Sequence, residues 1–216
     1  VSAAIPAPPE GGFVLRNRFA SLDPAQRGWM DDAPSYMPPI ALDDPVRATT
    51  VGQVHASDHP DYAPGDWVMG LNAIEEYSAV VPDGFTAKVD VSAVDSPSRF
   101  LSAFGAVGLT AYFGLLEVAK PQPGETVLVS GAAGAVGSVV GQIAKIHGCR
   151  TVGIAGGPDK CARLVQRYGY DAAVDYRGKS TEQLADAIRE VTPDGANIVF
   201  ENVGGTVFDA ELMNLA

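Results

Sequence analysis

Three glycines, Gly131, Gly134 and Gly137, separate the apolar run 126–130 from a helix-like stretch that reaches Lys145. A strand that ends in a glycine-rich turn and opens into a helix brings backbone N–H groups and a helix N-terminus to one point, which suits a phosphate. The ligand this favours is a dinucleotide, and the chemistry is that of an oxidoreductase. The spacing is G-x-x-G-x-x-G, whereas the dinucleotide fingerprint is G-x-G-x-x-G; Ala132 stands where the pattern has its middle glycine. Taken alone, the run reads equally well as a plain strand-to-helix turn.

The surrounding elements favour the first reading. Gly137, Gly141 and Ala144 recur at helical spacing, which predicts a small-residue face lying close against a sheet. Further strands are predicted at 151–155, 172–176 and 197–203, with helices over 159–168, 181–191 and 207–215. Pro158 suits the first turn of the second helix. Alternating strands and helices predict a parallel sheet with right-handed crossovers. The same apolar runs are core, since parallel strands are buried on both faces.

An NAD site places Asp or Glu at the end of the second strand, where it bonds the ribose 2′-OH. Here that place holds Gly156 and Gly157, and no carboxylate is expected to repel a 2′-phosphate, because Asp159 falls in the next helix. Lys160 is within reach of such a phosphate. Residues 145–179 carry seven Lys/Arg against three Asp, a local excess of +4 in a chain of net charge −11. This favours NADPH over NADH; the competing reading is a solvated helix face.

With 216 residues, 46% hydrophobic and 19% charged, the chain supports one large domain or two small ones. No uncharged apolar run is long enough for a membrane span. Residues 1–10 lack the charged start and apolar core of a signal peptide. The acidic balance argues against a nucleic-acid partner. Residues 1–97 carry 5 Lys/Arg against 14 Asp/Glu, and residues 98–216 carry 10 against 12. This asymmetry coincides with a change of pattern and predicts two domains, 1–97 and 98–216. Cys149 and Cys161 have no metal-ligand spacing and read as reduced thiols of a cytoplasmic protein. His55, Asp58 and His59 cluster in a turn-like segment and read as a solvated loop, so no metal site is expected.

The first hundred residues are short strands and turns, predicted at 13–19, 52–56, 67–72 and 77–81, with a proline-rich loop over 31–39. A small β-barrel is the natural reading.

These residues resemble a known family. Pro64-Gly65-Asp66-Trp67-Val68, Gly108 to Leu116, Pro123 to Val127 and Gly131 to Gln142 are similar to the medium-chain dehydrogenase/reductase superfamily. The subgroup they most resemble is the zinc-independent, NADPH-dependent alkenal double-bond reductases, which include the leukotriene B4 dehydrogenase/prostaglandin reductases and the curcumin reductases. Ser21-Leu-Asp-Pro24, Arg27-Gly28, Asp171 to Tyr176 and Asn202-Val-Gly-Gly205 strengthen the match, and the resemblance covers nearly the whole chain. It implies a GroES-like β-barrel followed by a Rossmann-type doubly wound parallel sheet, an active site in the cleft between them, and hydride transfer from NADPH to the β-carbon of an α,β-unsaturated aldehyde or ketone. It carries pyrophosphate contacts to Gly134, Ala135, Val136 and Gly137, and 2′-phosphate contacts to Lys160 and Tyr176, beside Gly157. Asn202 and Thr110 fall on the nicotinamide side. Strand-end packing and helix interior are the plain structural alternatives for Tyr176 and Thr110.

The sequence departs from the family at Ala25, at Ala106-Val107 and at Ile74, where an aromatic, Met-Pro and Trp are usual; these changes bear on the substrate pocket. Family members are also considerably longer. By the resemblance, the chain begins partway into the barrel's first strand and stops after the fourth Rossmann strand and its helix, leaving that strand as an exposed edge. The tyrosine usually found beside the reacting enone falls in the part not present. Catalytic residues therefore stay unassigned; Tyr36 and Arg27 are loose candidates for a donor. Three readings stand: an enone/alkenal reductase, a quinone reductase of the same superfamily, or a catalytically silent form that binds NADPH or a partner chain. In its full-length form the family implies a possible homodimer.

Overall fold

The computed structural model of the protein describes residues 4–216; residues 1–3, part of the segment read above for a signal peptide, lie outside the described residues. Its contacts divide the chain between Ser102 and Ala103 into two compact units.

The first unit is a five-stranded antiparallel sheet built from β1 (Phe13–Ala20), β2 (Arg47–Ser57), β3 (Trp67–Ala73), β4 (Tyr77–Val80) and β5 (Ala87–Lys88), in the order β4-β1-β2-β3-β5. Phe13, Leu15, Val54, Val68 and Val80 form its core, with Tyr62 stacked on Phe13 at 4.6 Å between ring centroids. β2 runs longer than the 52–56 expected, because it pairs continuously with β3 from Arg47 to Gln53. Gly52 is required inside it: a Cβ there would fall 2.3 Å from the Arg16 carbonyl oxygen, at the irregular stretch of β1 between Asn17 and Phe19. A one-and-a-half-turn helix, α1 (Pro24–Trp29), was not foreseen. It is too short and glycine-interrupted to show a period, and it holds through the Gln26 side chain, which accepts from the Asp23 N–H at 3.1 Å.

The second unit is a four-stranded parallel sheet of β6 (Thr126–Val129), β7 (Arg150–Ala155), β8 (Ala172–Asp175) and β9 (Ile198–Phe200), in the order β8-β7-β6-β9. Strand residues alternate between faces. Val127 and Val129 enter one core with Ala111, Leu115, Val140 and Ala144. Leu128 enters the other with Val152, Ile154, Val174, Leu184 and Ile188. The first face is covered by α2 (Ala106–Tyr112), a wider π-helical continuation (Phe113–Ala119), α3 (Ala135–Ile146) and α4 (Pro158–Tyr168); the second is covered by α5 (Thr181–Val191) and α6 (Gly205–Leu212). Helices on both faces of a parallel sheet are the doubly wound arrangement foreseen.

Three local expectations are corrected. β9 stops at Phe200 rather than at 203, because Glu201 turns back and its Oε1 accepts the Val203 and Gly204 N–H groups. α6 begins at Gly205 and ends at Leu212, rather than spanning 207–215. The small face of α3 does not rest on strand backbone at Gly141. A Cβ at Gly141 would fall 2.2 Å from ring atoms of Tyr170, whose ring also crowds Gly153 of β7. The tyrosine is a wedge between helix and sheet, buried to 2% exposure.

Candidate functional site

The C-terminal ends of the strands carry the candidate residues. At the end of β6 the chain turns through Gly131, whose φ of +54 lies in the left-handed region, and the Ala132 N–H bonds the Ile154 carbonyl of β7 at 3.1 Å. Gly134 is the N-cap of α3, exposed, and no side chain caps the helix. The N–H groups of Ala135, Val136 and Gly137 are thus first-turn donors without an intrahelical partner, at the positive end of the helix dipole. Gly137 must be glycine: a Cβ would fall 2.6 Å from both the Gly131 carbonyl oxygen and the Ala132 Cα. Below it, the Tyr170 hydroxyl donates to the Gly137 carbonyl at 2.7 Å. Burial raises the Tyr170 pKa, so it stays a neutral donor. A bare, glycine-lined helix N-terminus fits the pyrophosphate of a dinucleotide.

Asn202 follows β9 and is bonded to the end of β6. Its N–H donates to Ser130 Oγ and its Nδ2 to the Ser130 carbonyl, both at 2.9 Å. The amide nitrogen is therefore structural, and Oδ1 is the atom with no partner among the described residues. Ser130 Oγ donates in turn to Glu201 Oε1 at 3.0 Å. Burial alone would raise the Glu201 pKa, but the N–H groups of Gly204 and Val203, together with Ser130, hold it below its ordinary value. Behind this network lies Glu211 of α6, fully buried, with neither carboxyl oxygen in hydrogen-bond geometry. Burial first, and then the Glu201 charge, push its pKa up to about 8, while the nearby Ser130 works the other way. Sequence reading missed Glu211, since a single carboxylate in a helix carries no signal of which face is buried.

The second glycine corner is at the end of β7. Gly157 is the N-cap of α4 with φ +103, and Pro158 follows in the first turn. Tyr176 lies over Gly156, where a Cβ would be 3.0 Å from its hydroxyl oxygen; Arg177 lies over Gly157, where a Cβ would be 1.3 Å from a guanidinium nitrogen. Lys160 is exposed one turn into α4 and makes no ion pair among the described residues. Contrary to expectation, a carboxylate does reach this corner. Asp175, from the end of the neighbouring strand β8, accepts the Gly157 N–H at 2.7 Å and the Arg177 N–H at 3.0 Å on one oxygen. These two N–H groups, with the Arg177 and Lys179 charges, hold the Asp175 pKa below its ordinary value against the opposing effect of burial. Sequence reading missed the contact because Asp175 and Gly157 come together only through strand pairing.

Of the remaining candidates, Thr110 is exposed on α2, which packs against α3. In the first unit, the exposed Arg27 pairs with Asp31, and Tyr36, 77% exposed, meets Trp29 edge to face. Neither has the buried, hydrogen-bonded setting of a proton donor. Cys149 and Cys161 are free thiols. Among the described residues no helix is long and apolar enough to cross a membrane.

Fold and site together define a dinucleotide-binding Rossmann unit preceded by a GroES-like antiparallel unit. Two family descriptions match the chain: "N-terminal domain of oxidoreductase" over residues 1–89 and "Zinc-binding dehydrogenase" over residues 135–216. The chain belongs to the medium-chain dehydrogenase/reductase superfamily. It is 41% identical over 208 residues to the NADPH-dependent curcumin reductase of Escherichia coli, and 40% identical over 210 residues to the 2-alkenal reductase (NADP(+)-dependent) of Nicotiana tabacum; each alignment covers 96% of this chain. It spans 59% and 60% of the length of these two relatives. The crystal structure of CurA from Vibrio vulnificus in complex with NADPH matches all of this chain, and 62% of its own, with a TM-score of 0.90 at 39% identity. The second family description names zinc, but among the described residues no group of three or more His, Cys, Asp or Glu is placed to hold a metal. The donor set of the described residues does not fit zinc.

Proposed function

We propose that this chain is the cofactor-binding part of an NADPH-dependent oxidoreductase that reduces the C=C bond of α,β-unsaturated aldehydes or ketones. The observation that carries the cofactor reading is the bare N-terminus of α3, with Gly137 packed so tightly on the Gly131–Ala132 turn that no side chain intrudes. Ala135, Val136 and Gly137 N–H groups receive the pyrophosphate. Lys160 and Tyr176, beside Gly157, receive the 2′-phosphate. Asn202 Oδ1 and Thr110 face the nicotinamide side. Bound NADPH would supply the hydride to the substrate β-carbon; the residues named here hold and orient it, and none of them moves a proton. The names of the curcumin, alkenal and prostaglandin reductase relatives support the substrate class.

A quinone reductase is the second reading. It is favoured by the fold match to the quinone oxidoreductase of Pseudomonas syringae, with a TM-score of 0.75 at 26% identity. Turnover of an enone panel without turnover of quinones separates the two. Fluorescence titration with NADPH and NADH tests the cofactor reading. Lys160→Ala is expected to weaken NADPH binding by about tenfold, the worth of one charge-assisted phosphate contact, and to leave NADH binding unchanged. Equal loss of both sinks the 2′-phosphate role.

A further inference from the structure

The end of β7 holds a charge arrangement that the glycine pattern does not explain. In an NAD site, the carboxylate at this strand end accepts the ribose 2′-OH. Here β7 ends at Ala155 and is followed by Gly156 and Gly157, but Asp175 brings a carboxylate to the same corner from β8 and anchors it on the Gly157 N–H at 2.7 Å. One oxygen, Oδ1, takes both backbone N–H groups. Oδ2 has no hydrogen-bond partner among the described residues. Left alone, such a carboxylate would accept a 2′-OH and repel a 2′-phosphate. It is not left alone. The Arg177 guanidinium lies directly over Gly157, with Nε 3.8 Å from Asp175 Oδ1. That separation exceeds the roughly 2.7–2.9 Å of a charge-assisted hydrogen bond, so the guanidinium neutralises the carboxylate without being locked to it. Its side chain is 61% exposed, and its five donors remain free for a partner that matches their planar fork, as a phosphate does.

We propose that Arg177 discriminates between the two dinucleotides: its guanidinium masks the Asp175 carboxylate in the free chain and exchanges it for the 2′-phosphate when NADPH binds. Asp175 is then a positioning residue. Its backbone contacts hold the Gly157 corner open, and its charge keeps Arg177 parked there. Removing Arg177 uncovers a carboxylate already in place to read a 2′-OH. The inference rests on the NADPH reading above and assigns the specificity of that same site to a residue outside the glycine pattern.

The test is the pair of dissociation constants for NADPH and NADH, measured by fluorescence on the chain and on three variants, with melting temperatures to confirm folding. In Arg177→Ala the NADPH constant is expected to rise by about tenfold or more, while the NADH constant stays level or falls. Adding Asp175→Asn is expected to recover part of the NADPH affinity and abolish any gain for NADH. Arg167→Ala, which removes the same charge from the exposed face of α4, is expected to change neither constant appreciably. An unchanged NADPH/NADH ratio in Arg177→Ala overturns the proposal and leaves the NADPH reading standing. So does an equal shift in Arg167→Ala, which would reduce the effect to a general field. If the wild-type chain shows no preference for NADPH, the reading beneath fails and the proposal falls with it.

Discussion

The ends of β6 and β7 both turn on glycine and both open a helix, yet they are built from different materials. At β6 the surface is backbone. Gly137 rests on backbone atoms of Gly131 and Ala132, the Tyr170 hydroxyl holds its carbonyl from below, and the carboxylates Glu201 and Glu211 stand behind the turn. At β7 the surface is side chain: Tyr176 and Arg177 cover the two glycines, Asp175 ties them down, and Lys160 stands free nearby. Packed backbone has one arrangement and reads what all dinucleotides share, the pyrophosphate. Charged side chains on an exposed corner can exchange partners and read what differs, the 2′ substituent. Binding strength is therefore expected to reside at the first corner and selectivity at the second.

The sharpest way to strain the first corner is through Glu211. Its pKa in the fold, about 8, stands above its ordinary value of 4.5. A raised value means that the folded chain holds the proton longer than the unfolded one. The associated stability is complete below about pH 4.5, declines as pH rises, and is lost once pH passes about 8. Glu211→Leu removes that decline. Relative to wild type, the variant is expected to gain roughly 3–5 kcal/mol more at pH 8.5 than at pH 5, read as a melting temperature that no longer falls across the window. Parallel pH profiles for the two proteins would contradict the buried acid.

Gly137→Val attacks the front of the same corner. Its Cβ would meet backbone on two sides, and overpacking of this kind costs about 1–3 kcal/mol. NADPH and NADH binding should both collapse while α5 and the far face of the sheet keep their protection from amide exchange. Retained binding would place the phosphate elsewhere. The smallest effect is expected from Tyr170→Phe, which keeps the wedge and deletes one buried hydrogen bond, for about 1 kcal/mol. Both dinucleotides should weaken by the same modest factor. A change in their ratio would blur the distinction between the two corners.

The strand–helix alternation and the parallel sheet were legible in the sequence, because apolar runs, Pro158 and the glycine turns are local signals; the order β8-β7-β6-β9 is set by non-local strand pairing. Legibility failed where an element owes its ends to a partner. β2 extends to Arg47 because β3 lies beside it, β9 stops early because Glu201 folds back on its own N–H groups, and α1 is too short to carry a period. At the candidate site, Gly134 to Gly137, Lys160, Tyr176 and Asn202 could be named from motif and resemblance. Asp175, Arg177 and Tyr170 could not, because each acts on a residue 18 to 33 positions away, and Glu211 could not, because its burial is decided by how α6 packs.

Most strands and helices, and the places where the chain has no side chain to obstruct a ligand, follow from the sequence alone, since backbone preferences and missing Cβ atoms are properties of single residues and their near neighbours. The tertiary structure alone decided which charges face those gaps. Parallel pairing of β7 with β8 delivers Asp175 and Arg177 to Gly157, and packing of α6 buries Glu211 behind Ser130. Electrostatic energies depend on distance and burial in space, and neither is written along the chain.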